Sequence, residues 1–273
     1  FLQAYRDGLT PNPDIACNRF IKFDHFHQHA LSLGADYVAT GHYARLRREP
    51  SGLVQMLKAV DHEKDQSYFL SHVAQAPLQR ALFPLGELPK AEVRRMASEA
   101  RMHVALKKDS VGICFVGKRR FGEFIRNYIP CTSGPFVDVE SGCQVGEHRG
   151  HVLHTPGSKA RIGGLAEQPD RKKWYVVGKS AELNTVYVAL GKDHPALLTQ
   201  NVLTEAPNWI AGAPPAGMRD GDGGGSGKGA RAAAVAGGAQ AEPEARSVQD
   251  GVLRCEARWR YQGQLGACEV RSV

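Results

Sequence analysis

The sequence has no CxxC pair, no long apolar run and no initiator methionine, and each absence excludes a class of protein. Without paired cysteines, a zinc ribbon or knuckle has no ligands, and no metal site is predicted. No run approaches the roughly 18 apolar residues of a membrane helix, so no membrane partner is expected. A chain that begins FLQAYRDGLT shows neither a signal nor a transit pattern and is expected to be part of a longer protein.

The composition is that of a globular protein. Its 273 residues are 42% hydrophobic and 23% charged, enough for one sizeable core or two or three small ones. The net charge of +7 favours a polyanionic partner such as RNA, although many basic proteins bind no nucleic acid. Its six separate cysteines are expected to be free or redox-active thiols; they lie at 17, 114, 131, 143, 255 and 268. The last four of them are expected to be structural.

The stretch Thr10 to Phe23, TPNPDIACNRFIKF, combines a cysteine, a carboxylate and basic and aromatic residues. Its prolines disfavour helix before Asp14, which is a good N-cap, so a helix is predicted to start near Ile15. Cys17 then lies in the first turn, where the helix dipole favours a thiolate and the Asp14 carboxylate opposes it. Two interpretations stay open, a reactive thiol and a buried small hydrophobe.

A second cysteine-bearing stretch is Lys108 to Phe121, KDSVGICFVGKRRF. Here Lys107 to Phe115 is predicted to be a strand that bears Cys114, followed by a basic and aromatic cluster suited to phosphate and base contacts. A surface helix start would have the same composition. The working hypothesis is an active site with two thiols, Cys17 and Cys114.

The first part of the chain has the pattern of a parallel α/β sheet. Phe20 to Leu33 reads as an amphipathic helix ended by Gly34, and Ala35 to Ala39 follows as a buried strand. Ligands of such sheets lie beyond the carboxyl ends of strands. There, Gly41 permits close backbone approach and His42 offers a polar tip, although a simple strand-ending turn has the same pattern.

The segment Lys64, Asp65 and Gln66 precedes an apolar helix start and can be read as a solvated helix N-terminus capped by Asp65.

From Phe121 onward the pattern becomes β-rich, with strands predicted at Trp174 to Val177 and Thr185 to Leu190. The predicted domains are an incomplete α/β domain, a β-containing central domain, a disordered Gly/Ala-rich insert and a truncated β-barrel, over residues 1–120, 121–205, 211–246 and 247–273.

Five ordered motifs together resemble the tRNA-specific 2-thiouridylase family: TPNPDIACNRFIKF, GADYVATGHYAR, DHEKDQSYFL, LFPLGELPKAEVR and DSVGICFVGKRRF. Within the family, the DHPALL and WIAGAPP stretches are most similar to the mitochondrial branch. The resemblance implies an adenine nucleotide alpha hydrolase-like (Rossmann-like) parallel sheet, then the β-rich central domain and the barrel. It also implies ATP-dependent replacement of the C2 oxygen of a wobble uridine by persulfide sulfur. By the same resemblance, Cys114 carries the persulfide, Cys17 is the nucleophile that forms a disulfide with it, and Asp14 is a general acid or base.

The resemblance assigns binding residues as well. Gly41 matches an ATP contact, and the matches to tRNA contacts are Asn12, Pro13, Asp14, His42, Lys64, Asp65, Gln66, Arg260 and Tyr261. The implied partners are ATP with Mg²⁺, tRNAs for Glu, Gln and Lys, and an upstream sulfur-relay protein or cysteine desulfurase. The implied location is mitochondrial, or cytoplasmic if the source is bacterial.

Two alternatives remain. The family's pyrophosphate loop, a Ser-Gly-Gly-Val-Asp-Ser type sequence, does not occur in the printed sequence, so one alternative is a catalytically inactive tRNA-binding remnant. The other is a thiol redox protein that uses Cys17 and Cys114 alone, which their wide separation and the lack of CxxC disfavour.

Overall fold

The computed structural model describes residues 1–109, 112–117, 119–163, 172–199, 201–204, 207–218, 232–236, 247–249, 252–257 and 266–272. Two compact units make up the chain. The first unit joins Phe1–Pro13 to Val111–Thr199, and the second unit joins Asp14–Ser110 to Gln200–Val273. The predicted domain boundaries are linear, whereas each of these units combines two separate stretches of chain.

Short helices and strands alternate along the chain. The helices are α1 Leu2–Arg6, α2 Pro13–Ala16 continuing as Cys17–Phe26 and His27–Ser32, α3 Gln75–Gln79, α4 Lys90–Glu99 and α5 Phe121–Arg126. Single 3₁₀ turns occupy Ser67–Leu70, Cys114–Val116, His151–Leu153 and Pro195–Leu197. The strands are β1 Val38–Ala39, β2 Ala44–Arg48, β3 Val54–Lys58, β4 Ala81–Leu82, β5 Gly134–Asp138, β6 Gln144–His148, β7 Trp174–Ser180, β8 Thr185–Leu190, β9 Asn201–Thr204, β10 Ala232–Ala236, β11 Ser247–Gln249, β12 Val252–Ala257 and β13 Gly266–Ser272.

The second unit contains the predicted parallel strand pair. β1 pairs in parallel with β4, Val38 opposite Ala81, and the pairing continues where Thr40 N donates to Leu82 O at 3.0 Å. Gly34 has a φ of +91°, the left-handed conformation that suits the residue after a helix, which confirms the predicted stop. Helix, glycine and buried strand therefore build the α/β unit that the pattern predicts.

The helix α2 begins earlier than its pattern predicts. It starts at Pro13, whose fixed φ and missing N–H suit the first helical position. Asp14 thus lies within the first turn rather than at the N-cap, which corrects the prediction of a start near Ile15. The helix is irregular, with wide turns over Cys17–Phe26 and a non-helical residue at Phe23 (φ −101°, ψ 15°). Such irregular turns are frequent at functional sites.

One core holds the α/β part of the second unit together. Its buried members come from α2, the hairpin β2–β3, the turn before α3, α3 itself and β4: Phe23, Ala44, Val54, Leu70, Val73, Leu78 and Ala81. Each large side chain contributes about 1.5–3 kcal/mol by leaving water. Gly86 lies directly over this core, because a Cβ there would come within 1.9 Å of the Ala44 carbonyl oxygen.

The remaining strands of the second unit form one antiparallel sheet in the order β11-β12-β13-β10-β9. Among the described residues this sheet is open, with β9 and β11 at its edges. The strand Ala232–Ala236 lies inside the predicted disordered insert and pairs with both β9 and β13. For this stretch the prediction of disorder is wrong, because the chain's backbone groups are paired on both sides.

The first unit is built on the sheet β6-β5-β8-β7, in which β5 and β8 run parallel. The strands predicted at Trp174 to Val177 and Thr185 to Leu190 are confirmed as β7 and β8. Its sheet core comprises Phe136, Ala160, Trp174, Val176, Val186 and Val188. A second cluster packs α1 against α5: Tyr5, Val116, Phe124, Ile125, Ile129 and Val152.

The predicted strand Lys107 to Phe115 is wrong in the part that the structure describes. Cys114–Val116 is a 3₁₀ turn instead. Gly112 and Gly117, with φ values of +98° and +70°, flank this turn, and their left-handed conformation interrupts an extended chain on both sides. Val116 is buried in the cluster around Tyr5.

Across the described residues, no helix has the length and apolar character to span a membrane.

Candidate functional site

Cys17 lies in the irregular part of α2 and is a partly exposed free thiol. The residue after it, Asn18, is only 2% exposed. Its side-chain amide Nδ2 donates a 2.9 Å hydrogen bond to the backbone oxygen of Phe69, in the 3₁₀ turn Ser67–Leu70. The turn that carries Cys17 is therefore tied to the chain that directly follows the Lys64–Gln66 segment.

The segment Lys64, Asp65 and Gln66 is a folded turn and not a solvated helix cap. Asp65 is 2% exposed and accepts hydrogen bonds from Ala59 N at 2.9 Å and from the Ser67 hydroxyl at 2.8 Å. Gln66 and Tyr43 exchange two hydrogen bonds, with Tyr43 N donating to Gln66 Oε1 and Gln66 N donating to Tyr43 O. The Asp65 side chain therefore holds this segment against the end of the β2–β3 hairpin, and the Gln66 side chain holds it against the turn after β1.

His42 is buried among aromatic rings. It is 8% exposed, with ring centres of Phe23 and Phe83 at 5.7 and 5.8 Å, and Thr40 Oγ1 lies 2.7 Å from its Nδ1. Burial, with a smaller effect of the Lys22 charge, lowers the pKa of His42 to about 4. The imidazole is neutral at pH 7 and packs the Thr40–Tyr43 turn, while a contact of His42 with tRNA stays a prediction.

Gly41 is exposed at the carboxyl end of β1. A Cβ at this position would meet only Leu85 Cδ1, at an ordinary contact distance of 3.8 Å. The protein's own packing therefore does not require a glycine here. The missing side chain instead leaves the backbone open to a ligand beyond the parallel strands, the usual place for a nucleotide in this fold. The contact of Gly41 with ATP stays a prediction, and the open backbone leaves room for it.

A basic cluster surrounds Asp109, and no sequence motif predicts it. The Asp109 carboxylate lies 3.0 Å from Lys64 Nζ, 3.0 Å from an Arg94 guanidinium nitrogen and 3.6 Å from Lys90 Nζ. Hydrogen bonds from Lys64 and Arg94, with the nearby Lys90 charge, lower the pKa of Asp109 to about 2. Three cations share one carboxylate, so the cluster keeps excess positive charge. The signal in the sequence was weak, because the four residues are spread over 46 positions and meet only in the fold.

The side chain of Asp61 holds the backbone of this cluster in place. Its carboxylate accepts hydrogen bonds from the backbone N–H of Lys90 at 2.8 Å and of Lys64 at 3.2 Å. The first of these caps the N-terminus of α4, which carries Lys90 and Arg94. These backbone hydrogen bonds, that from Lys90 first, lower the pKa of Asp61. One carboxylate thus positions two elements that supply the basic side chains.

The remaining predicted site residues lie in different parts of the chain. Asn12 and Pro13 end the N-terminal stretch of the first unit, and Asp14 begins the second. Cys114 lies in the first unit and Cys17 in the second, so the contact of their thiols stays a prediction. Arg260 and Tyr261 lie outside the described residues. Among the described residues, no group of three or more His, Cys, Asp or Glu could hold a metal ion, and Mg²⁺ stays a prediction.

Comparison with known proteins identifies the two parts of the chain. Residues 1–118 match the model of the tRNA methyl transferase HUP domain, and residues 122–190 match that of the tRNA methyl transferase PRC-barrel domain. The chain therefore combines a nucleotide alpha hydrolase-like α/β domain with a PRC-barrel domain.

Curated relatives carry a more specific name. The tRNA-specific 2-thiouridylase MnmA of Cupriavidus necator is 50% identical over 217 residues, which cover 79% of this chain and 60% of that protein. The proteins of the same name from Cupriavidus pinatubonensis and Ralstonia nicotianae are each 49% identical, over 59% and 58% of their lengths and 79% of this chain. The chain belongs to the tRNA-specific 2-thiouridylase family. It spans about 60% of the length of these relatives.

Proposed function

We propose that this protein is a sulfurtransferase that replaces the C2 oxygen of the wobble uridine of tRNA by sulfur, giving 2-thiouridine. The names of relatives at about 50% identity support this reaction. The observation that carries it is the hydrogen bond from Asn18 to Phe69, which holds the turn of the candidate nucleophile Cys17 next to the segment assigned to tRNA contact. One buried hydrogen bond therefore links the turn that carries the candidate thiol to the turn that is proposed to contact RNA.

ATP, when bound, supplies the adenylyl group that turns the uridine C2 oxygen into a leaving group. Gly41 would contact it, since the backbone there is open at the end of the parallel strands. Asp14, in the first turn of α2, is the candidate general acid or base for proton transfer at the target base. Asn12 and Pro13, directly before it, would contact that base.

The sulfur chemistry uses two thiols. In the proposal, the terminal sulfur of a persulfide on Cys114 bonds to the uridine C2 atom as the activated oxygen leaves. The Cys17 thiolate then attacks the Cys114 sulfur, the S–S bond to the uridine sulfur breaks, and a Cys17–Cys114 disulfide and 2-thiouridine result. A small-molecule thiol reduces this disulfide, and an upstream sulfur-relay protein or cysteine desulfurase restores the persulfide.

The basic cluster around Asp109 supports tRNA binding. Lys64, Lys90 and Arg94 carry three positive charges, which exceed the negative charges of Asp109 and the neighbouring Asp61, and this excess favours phosphate contact. Arg260 and Tyr261 are the proposed further contacts, with tRNAs for Glu, Gln and Lys as substrates. The mitochondrial location, or a cytoplasmic one in a bacterium, rests on the sequence resemblance alone.

Incorporation of labelled sulfur into a tRNA(Lys) transcript tests the reaction. The assay supplies ATP, Mg²⁺, cysteine and a cysteine desulfurase, and compares the printed chain with a chain extended to the length of its relatives. Cys17→Ser and Cys114→Ser should each abolish ATP-dependent transfer, whereas Cys143→Ser, which changes an exposed free cysteine, should leave it intact. Transfer by neither chain, together with salt-dependent tRNA binding, would support the inactive remnant instead.

A further inference from the structure

Two cysteines outside the proposed active site face each other in the sheet of the second unit. β12 and β13 are antiparallel, and Cys255 lies directly opposite Cys268 in their register. The two sulfur atoms are 3.5 Å apart. Both cysteines are free thiols.

Neighbouring pairs fix this register from both faces of the sheet. On one face, the Arg254 guanidinium lies 3.1 Å from the Glu269 carboxylate, directly across the strands. On the other face, buried Leu253 pairs with Val270, next to the two cysteines. A slip by one residue would bury the ion pair and expose Leu253, so the two thiols stay opposite each other.

The backbone distance is suited to a covalent bond. Directly opposite residues of antiparallel strands have Cα atoms roughly 4.5 or 5.5 Å apart. Disulfides span Cα separations of about 4.4–6.8 Å. A bond between the two sulfurs therefore requires side-chain rotation and no movement of the strands.

We propose that Cys255 and Cys268 form a reversible dithiol site that a low-molecular-weight disulfide, such as oxidised glutathione, converts to a cross-strand disulfide. The Cys255 thiolate attacks one sulfur of the small disulfide, whose S–S bond breaks and releases one small thiolate. The Cys268 sulfur, losing its proton, then attacks the Cys255 sulfur and releases the second small thiolate. Two protein thiols are oxidised and one small disulfide is reduced to two thiols, which take up the two protons.

The order of attack follows from burial. Cys255 is partly exposed, whereas Cys268 is 5% exposed. Burial, and next the contact with Cys255, raises the pKa of the Cys268 thiol to about 12, so Cys268 is the poorer first nucleophile. An adduct on Cys255 places its sulfur next to Cys268, where the second step is intramolecular. The site is independent of the thiolation reaction, since neither cysteine belongs to the proposed sulfur path.

Peptide mapping of the native full chain tests this. The chain is incubated with oxidised glutathione, remaining thiols are alkylated, and the peptides are analysed by mass spectrometry with and without prior reduction. The expected main product is a peptide pair linked through Cys255 and Cys268, with a mass lower by two hydrogen atoms and reversed by dithiothreitol. The same treatment in denaturant should lose this selectivity, because the strand register is gone.

Variants distinguish the two thiols. Cys268→Ser should stop at a glutathione adduct on Cys255, and Cys255→Ser should leave Cys268 largely unmodified. Cys143→Ser changes an exposed cysteine elsewhere and should leave the cross-link unchanged. An adduct on Cys255 in the unsubstituted chain without a cross-link, or modification of Cys143 with Cys255 and Cys268 both unmodified, would overturn the proposal. Loss or retention of sulfur transfer in the same samples reports only on the proposed function.

Discussion

Asn18 and Phe69 are joined by a 2.9 Å hydrogen bond from the Asn18 side-chain amide to the Phe69 backbone oxygen. Asn18 follows the candidate nucleophile directly, and Phe69 follows the candidate RNA-contacting segment by three residues. The bond is almost fully removed from water at the Asn18 end. A single amide thus connects two motifs that lie about fifty residues apart in the sequence.

Removing this donor should lower both stability and activity. Asn18→Ala leaves the Phe69 oxygen without its donor, and Asn18→Asp sets two acceptors against each other, so each should lower the free energy of unfolding by about 1–3 kcal/mol. Urea unfolding measures the loss, and single-turnover thiolation below the unfolding transition measures the effect on Cys17. Asn127→Ala, at an exposed amide, is the control. Equal stability of the Asn18 and Asn127 variants would show that the bond does not hold this turn.

The cluster around Asp109 should contribute to RNA affinity. Lys64→Ala should weaken tRNA binding and reduce the slope of log affinity against log salt by about one, because one phosphate contact is lost. Asp109→Asn should strengthen binding, since it removes the negative charge shared by Lys64, Lys90 and Arg94. Filter binding at several salt concentrations measures both, with the exposed Lys58→Ala as control. An unchanged salt slope for Lys64→Ala would place the RNA elsewhere.

Stability should fall between neutral and mildly acidic pH because of buried His42. Its pKa is about 4 in the folded chain and about 6.5 when unfolded, so between these values the unfolded state binds more protons. Stability is therefore full above about pH 6.5 and decreases as the pH falls towards 4, with a loss of about 1–2 kcal/mol from His42 by pH 5. Urea unfolding at pH 7, 6 and 5 measures this loss.

The matched variants are His42→Phe and His29→Phe. The first removes the buried imidazole and should reduce the pH dependence by the contribution of His42, whereas the second changes an exposed histidine and should retain it. His154, whose burial likewise lowers its pKa to about 4, is unchanged in both variants and keeps its own contribution. A pH dependence equal in both variants would contradict the assignment to His42.

Gly86 should tolerate no side chain. Gly86→Ala would bring a Cβ to within 1.9 Å of the Ala44 carbonyl oxygen, so the hairpin must shift, and we expect a loss of more than about 2 kcal/mol. Thermal unfolding measures it. Gly178→Ala is the control, because a Cβ there meets no atom within 4 Å. If the two alanine variants unfold at the same temperature, the close approach of Gly86 to the hairpin does not exist.

Local patterns predicted much of the fold. The strands at Trp174–Ser180 and Thr185–Leu190 follow from β-branched and aromatic runs between turns, and the end of α2 follows from Gly34. The predicted strand at Cys114 failed because Gly112 and Gly117 adopt left-handed conformations, which an apolar run does not reveal. The predicted disorder failed over Ala232–Ala236, where pairing with two distant strands overrides a Gly/Ala-rich composition.

Ordered motifs and local periodicity were sufficient to predict the family, the parallel α/β character and the identity of the candidate thiols. The long-range contacts arise only when the chain folds. Folding buries His42 and Asp65, brings three cations to Asp109, and places Cys255 opposite Cys268. The reason is physical: burial, ion pairing and strand register each depend on residues distant in the chain, whose approach no local pattern encodes.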